Sequence, residues 1–88
     1  MNKELRRKAK EMIGTKIPDY TFTFCDYSRS RVIISIEFSL NSEIKKITVS
    51  EKTLNEAVYF LVLNYFEILS LNKIKAKILK TPEYVQYL

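Results

Sequence analysis

Apolar and polar side chains alternate along residues 20–40, and this two-residue period limits what the chain can fold into more than any other feature. A first run alternates Tyr20, Phe22 and Phe24 with smaller side chains. A second run has an apolar residue at every other position: Val32, Ile34, Ile36, Phe38 and Leu40. Because successive side chains of a strand point to opposite faces, this pattern predicts two strands that are each buried on one face.

The connection between these runs decides which residues share a face. If residues 27–31 form the connection, Phe24 faces Ile34 and Phe22 faces Ile36 across an antiparallel pair. One face of the pair then carries every large apolar side chain and becomes the inner face of a sheet. This register sends four aromatic residues into the core: Tyr20, Phe22, Phe24 and Phe38.

Asn41 and Ser42 predict a tight turn into a third strand, because both residue types favour short turns. The result is a three-stranded antiparallel meander in which Ile47 opposes Ile36. Its outer face is predicted to be small and polar. The outer-face residues are the facing charges Glu37 and Lys46 together with Thr21, Thr23, Cys25, Ile33, Ser35, Ser39 and Thr48.

A helical period precedes the strands. Asn2 is available as the N-cap of this helix, and Gly14 stands where the helix would end. Apolar residues recur at helical spacing at Leu5, Ala9, Met12 and Ile13. The opposite side of the helix carries the densest basic cluster of the chain: Lys3, Arg6, Arg7 and Lys10.

Thr53 and Glu56 form a capping-box pattern that predicts the start of a long apolar helix over residues 54–69. One side of it is predicted to pack on the sheet, through Leu54, Ala57, Val58, Leu61, Val62, Tyr65, Ile68 and Leu69. The other side is also apolar, with Tyr59, Phe60, Leu63 and Phe66. One sheet cannot cover both sides, so the second is covered by the first helix, by the residues after Asn72, by a second copy or by a target protein.

Residues 73–80 fit two predictions. Their alternation matches an edge strand, whereas the spacing of Leu71, Ile74 and Ile78 matches a helix. Thr81 followed by Pro82 predicts a last helical turn. The expected fold is therefore one α+β domain over residues 1–88, with a helix, a three-stranded antiparallel meander, a long apolar helix and a short C-terminal strand or helix.

The residue types that most active sites require are scarce. The chain has no histidine, and Cys25 and Gly14 are its only cysteine and glycine. The commonest general base, the usual zinc sites and the glycine-rich phosphate loops are thereby excluded. We expect a non-enzymatic protein with no metal and no cofactor. The charged N-terminus, and Asn64 and Glu67 within the apolar helix, predict a soluble cytoplasmic protein without membrane contact.

The net charge of +5 is concentrated at the two ends of the chain. The first 16 residues carry six basic and two acidic side chains, and the last 16 carry four and one. This distribution favours an anionic partner, either nucleic acid or an acidic protein surface. Tyr27 stands beside two arginines in the first predicted hairpin loop, where stacking and anion pairing can combine. The candidate contact residues are Lys3, Arg6, Arg7, Lys10, Arg29, Arg31, Lys73, Lys75, Lys77 and Lys80.

The order of helix, three antiparallel strands and helix over residues 3–69 resembles that of the double-stranded RNA-binding domain. This resemblance implies contact with a duplex through the basic first helix. Where that family has a lysine-rich start to its second helix, residues 50–56 carry two glutamates and one lysine. An RNA binder of the recognition-motif type would need aromatic side chains on the open sheet face for bases to stack on, and the predicted register leaves none there.

In size and composition the chain also resembles the small proteins of phages and mobile elements, among them anti-CRISPR and other anti-defence proteins. That resemblance implies stoichiometric attachment to a host protein or nucleoprotein. We therefore expect an interaction protein that inhibits or modulates a host macromolecule such as a defence nucleoprotein. Nucleic-acid binding is the alternative, and a homodimer is compatible with either.

Overall fold

The computed structural model describes the backbone of residues 2–80 and the side chains of residues 2–73. Its element order confirms the predicted α+β fold of helix, three antiparallel strands and helix. Each strand of the sheet pairs with the next strand along the chain. The elements are α1 (Lys3–Ile13), β1 (Thr21–Ser28), β2 (Arg31–Leu40), β3 (Glu43–Glu51) and α2 (Leu54–Lys80).

Local interactions define both ends of α1. The Oδ1 atom of Asn2 accepts a hydrogen bond from the backbone N–H of Leu5 at 2.9 Å, which caps the first turn. The helix ends at Ile13, and the N–H of Gly14 donates to the carbonyl oxygen of Lys10 at 2.8 Å. A Cβ atom at position 14 would lie 2.8 Å from that same oxygen, so glycine suits this approach.

Both hairpin turns consist of two residues with positive φ. Asn41 and Ser42 have φ values of 52° and 66°, and Arg29 and Ser30 have values of 52° and 62°. Left-handed backbone at both central positions is typical of a type I′ turn, whose twist matches that of the flanking strands. The predicted register between β2 and β3 is confirmed by the pairs Ile34–Val49, Ile36–Ile47 and Glu37–Lys46.

The pairing of β1 with β2 differs from the predicted register because β1 contains a bulge between Phe22 and Phe24. Before the bulge, Phe22 faces Ile36 as predicted. After it, Phe24 faces Ser35. A bulge places one extra residue in one strand, so every side chain beyond it changes face relative to strict alternation.

The bulge makes two predictions wrong. Cys25, predicted on the outer face, pairs with Ile34 and is fully buried, whereas Phe24, predicted in the core, is 41% exposed. The physical cause is the turn at residues 29–30. Two connecting residues pair Ser28 with Arg31, whereas the predicted register needs an odd number, such as the five residues 27–31, and the bulge in β1 absorbs the one-residue offset.

Helix α2 begins where the capping box predicts, since the N–H of Glu56 donates to Oγ1 of Thr53 at 3.2 Å. The helix continues to Lys80 without interruption. Residues 73–80, which fitted either a strand or a helix, are therefore helical. The last turn predicted at Thr81 lies outside the described residues.

Both helices pack on the inner face of the sheet, α1 beside β1 and α2 beside β3. The ring centroids of Phe38 and Tyr65 lie 5.0 Å apart in an edge-to-face contact at this interface. The helix side that packs on the sheet buries Ala57, Val58, Leu61, Val62 and Tyr65.

Among the described residues, Leu54–Lys73 is the one segment long and apolar enough to span a membrane by length and composition.

Candidate interaction site

The basic side of α1 consists of three cations, Lys3, Arg6 and Lys10. Arg6 and Lys10 line a groove of about 550 Å³ together with Tyr20 and Phe22, next to the start of β1. The guanidinium carbon of Arg6 lies 5.4 Å from the ring centroid of Phe22, a cation–π contact. This contact orients the guanidinium group while Arg6 as a whole stays exposed.

Two further cations of α1 are paired with glutamates one helical turn away. Nη1 of Arg7 lies 2.9 Å from Oε1 of Glu11, and Nζ of Lys8 lies 3.6 Å from Oε1 of Glu4. Pairs of this kind on an exposed helix contribute about 0.3–0.5 kcal/mol each. Arg7, a predicted contact residue, is therefore partly neutralised by Glu11.

Two neutral groups lie beneath the basic side. Within residues 2–73, the Tyr20 hydroxyl oxygen is buried without a hydrogen-bond partner. Burial raises the pKa of the Tyr20 hydroxyl, nearby Cys25 adds to the rise, and the Arg6 guanidinium opposes it. Burial also raises the pKa of the Cys25 thiol. Both groups are protonated near pH 7, so the cations of α1 supply the charge of this region.

The arginines of the first hairpin have different surroundings. Nε of Arg31 donates to Oγ of Ser50 at 2.9 Å, and its Nη2 donates to the Ser50 carbonyl oxygen at 2.6 Å. These bonds hold the Arg31 guanidinium against β3. Arg29 and Tyr27 are exposed at the end of the hairpin, Tyr27 by 57%. The predicted loop contact is therefore centred on Arg29 and Tyr27.

The predicted second side of α2 is exposed in the described part of the chain. Met12 of α1 and Lys16, in the turn after α1, cover its border, where they form a groove of about 490 Å³ with α2. The centre of this side is open. Its exposed members, here called the apolar strip, are Tyr59 (61%), Phe60 (39%), Leu63 (38%), Phe66 (49%) and Leu71 (60%).

Sequence reasoning missed Leu71 as part of this strip. Leu71 lies eleven residues after Phe60, a separation of three helical turns that places both on one side of a helix. The predicted helix ends at residue 69, before this position. The exposed apolar surface therefore extends farther along α2 than predicted.

Of the four lysines predicted as contacts at the C-terminal end of α2, only Lys73 has a described side chain. Lys73 is exposed, whereas the side chains of Lys75, Lys77 and Lys80 lie outside the described set. The structure thus places one of these four predicted contact residues at the surface.

The outer face of the sheet presents one aromatic side chain in a polar setting. Phe24 of β1 pairs with Ser35 of β2, and Ser35 pairs with Thr48 of β3. The hydroxyl oxygens of Ser35 and Thr48 lie 2.9 Å apart. No three cysteine or acidic side chains in the described ranges lie close enough together to hold a metal ion. The surfaces available are therefore a basic side, an apolar strip and a mainly polar sheet face.

Comparison of the chain with protein-family models, with curated proteins and with solved structures found no match.

Proposed function

We propose that this protein acts without catalysis, by attaching the basic side of α1 to an acidic surface of a host protein or nucleoprotein. The observation that carries the proposal is the alignment of Lys3, Arg6 and Lys10 on one exposed side of a capped helix. The cation–π contact fixes Arg6 before a partner arrives, which lowers the entropy lost on binding. In this role the protein is an accessory factor of a phage or mobile element that inhibits or modulates its target.

The acidic residues around the basic side favour a protein surface over a nucleic-acid backbone. Glu4 and Glu11 are exposed on the same helix, and Asp19 lines the groove that contains Arg6 and Lys10. The Asp19 carboxylate would repel a phosphate in this groove, and Glu4 and Glu11 reduce the charge that Lys8 and Arg7 offer to a regular row of phosphates. A protein partner can place its own basic and acidic groups to match such a mixed pattern.

Nucleic-acid binding is the second candidate, and Phe24 is the observation that favours it. An exposed aromatic ring on an open sheet face can stack with an unpaired base. Arg31 lies on the same outer face but is held by Ser50. The sheet face therefore offers one stacking group and few phosphate contacts.

The test compares capture of host macromolecules by wild-type protein and by two variants. Lys3→Glu/Lys10→Glu reverses two charges of the basic side, and Lys8→Glu/Lys52→Glu makes the same change of net charge at exposed positions outside it. Capture from a host lysate is measured with and without nuclease. We expect a protein whose capture survives nuclease, falls about tenfold with the first variant and persists with the second.

Two results would contradict the proposal. Equal loss with both variants would mean that net charge, not the basic side, attracts the partner. Capture that disappears with nuclease, and is replaced by binding to a random duplex that weakens steeply with salt, would favour the nucleic-acid alternative.

A further inference from the structure

We propose that the apolar strip of α2 binds the same strip of a second copy of this chain, with the two helices antiparallel. The first observation is a seven-residue repeat on the side of α2 that faces away from the sheet. Glu56, Leu63 and Ser70 form one row, and Tyr59, Phe66 and Lys73 form the other. All six residues are exposed, and the two rows alternate at spacings of three and four.

This repeat has the geometry of a coiled-coil seam. Two rows of residues spaced seven apart remain on one side of a helix and pack between the residues of a facing helix. Residues 56–73 make a seam about 27 Å long at 1.5 Å per residue. The sheet-facing residues Ala57, Leu61 and Tyr65 lie on the opposite side of α2. A partner helix can therefore approach without disturbing the core.

The chemistry of the two rows is matched only when the helices run in opposite directions. If Leu63 faces Phe66 of the second copy, Tyr59 faces the partner's Ser70 and Glu56 faces the partner's Lys73. Each layer then joins one row to the other row, as antiparallel packing requires. An aligned parallel pair would instead place Glu56 against Glu56 and Lys73 against Lys73, which is repulsive.

Each layer of the antiparallel pair is complementary in size or charge. The two central layers join a leucine to a phenylalanine. The next layers join a large tyrosine to a small serine, and the two hydroxyl groups are able to hydrogen-bond. The outermost layers join a carboxylate to an ammonium group, because Glu56 and Lys73 lie equally far from the centre of the seam.

The exposed area of the strip agrees with a weak dimer. Side chains of this size each present about 150–250 Å² when uncovered, so the exposed fractions of the three apolar seam residues, Tyr59, Leu63 and Phe66, amount to roughly 300 Å² per copy. Two copies would bury about 600 Å² of these side chains, to which the exposed Glu56, Ser70 and Lys73 add, so the interface is small and the dimer weak. Met12 and Lys16 at the border of the strip add to this area.

The pairing is independent of the partner bound by the basic side. Arg6 and Lys10 line the groove beside β1, whereas Met12 and Lys16 line the groove beside α2. A dimer through α2 therefore leaves the basic side of both copies accessible. Two such sides on one particle would strengthen attachment to a repetitive target.

Sedimentation equilibrium over about 5–500 µM protein is the first test, and a shift from 10.4 kDa toward twice that mass is the expected result. Phe66→Ser should abolish the shift. Because Phe66 is half exposed, this variant should keep the helical circular-dichroism spectrum of the wild type. A monomer at every concentration would overturn the proposal and leave the strip to a host protein or to residues 81–88.

Charge reversal tests the direction of the helices. Glu56→Lys and Lys73→Glu should each weaken the dimer about tenfold, because each places two like-charged pairs in the seam. The double variant Glu56→Lys/Lys73→Glu should restore affinity to within about threefold of wild type. Weakening without restoration would overturn the antiparallel pairing.

Disulfide formation gives an independent measure of register. Mixed Tyr59→Cys and Ser70→Cys proteins should form a heterodimeric disulfide, and each variant alone should not. In the antiparallel pair two copies of position 59 are about 16 Å apart along the seam, too far for a disulfide. Wild type, whose Cys25 is buried, is the background control. Rapid disulfide formation by Tyr59→Cys alone would contradict the proposed direction.

Discussion

Phe22 and Phe24 offer a matched test of the β1 bulge, because they are the same residue type on one strand, two positions apart. Strict alternation would place both in the core and predict equal costs for their replacement. The structure leaves Phe22 9% exposed and Phe24 41% exposed, on opposite faces of the sheet. Phe22→Ala should therefore destabilise the protein far more than Phe24→Ala.

The size of the difference follows from the exposed fractions. For a phenylalanine of about 200 Å², the difference in burial is about 65 Å², or roughly 1.6 kcal/mol at 25 cal/mol per Å². Phe22→Ala also leaves a cavity, which brings its expected cost to about 3–5 kcal/mol. The expected cost of Phe24→Ala is about 1–2 kcal/mol.

The assay is urea unfolding followed by circular dichroism, at one low protein concentration so that self-association contributes equally. If Phe22→Ala is too unstable to measure, Phe22→Leu and Phe24→Leu provide a milder pair with the same predicted order. Costs that agree within about 0.5 kcal/mol would refute the bulged register. Such a result would indicate that Phe24 is buried in the core.

Three further outcomes follow from local features. Ser42→Gly should raise the free energy of unfolding by about 0.5–1 kcal/mol, because glycine adopts the positive φ of the turn without strain; a thermal melt with lower Tm would contradict this. Tyr20→Phe should stabilise by about 1 kcal/mol, because it removes a buried hydroxyl that lacks a partner within the described residues; denaturant titration measures it. Burial raises the pKa of the Cys25 thiol in the folded state, so the unfolded chain loses that proton first and stability should fall as pH rises above about 8.5. In the Cys25→Ala variant, the free energy of unfolding should fall less between pH 8 and 10. An unchanged pH dependence would mean that other groups cause the loss of stability.

Signals that act within a few residues predicted most of the fold. The Asn2 cap, the end of α1 before Gly14 and the capping box at Thr53 are each made by neighbours in the chain. The register of β2 with β3 was also predictable, because the turn at residues 41–42 has favourable turn residues and both strands alternate without interruption.

The features that were missed depend on how distant parts of the chain fit together. The bulge in β1 depends jointly on a two-residue turn without glycine and on the register with β2, and alternation alone does not reveal it. Residues 73–80 satisfy the period of a strand and of a helix, so only continuity with α2 resolves them. Arg31 was predicted as a contact residue, but its bonds to Ser50 come from a strand 19 residues away.

The candidate surfaces were predictable to different degrees. The basic side of α1 and four members of the apolar strip follow directly from helical spacing. The separation of these surfaces does not, because it depends on which side of α1 faces α2. In the structure, Met12 and Lys16 lie beside α2, whereas Arg6 lies beside Phe22 of β1.

The affinity of the captured partner as a function of salt tests the proposed attachment through the basic side of α1 most directly. For wild type, the dissociation constant should rise steadily between about 50 and 300 mM salt, because attraction between exposed charges is screened over this range. Lys3→Glu/Lys10→Glu should bind more weakly at low salt and show a flatter dependence, while Lys8→Glu/Lys52→Glu keeps the wild-type slope. A dissociation constant that is independent of salt, or the same slope for the wild type and the first variant, would contradict attachment through the basic side of α1.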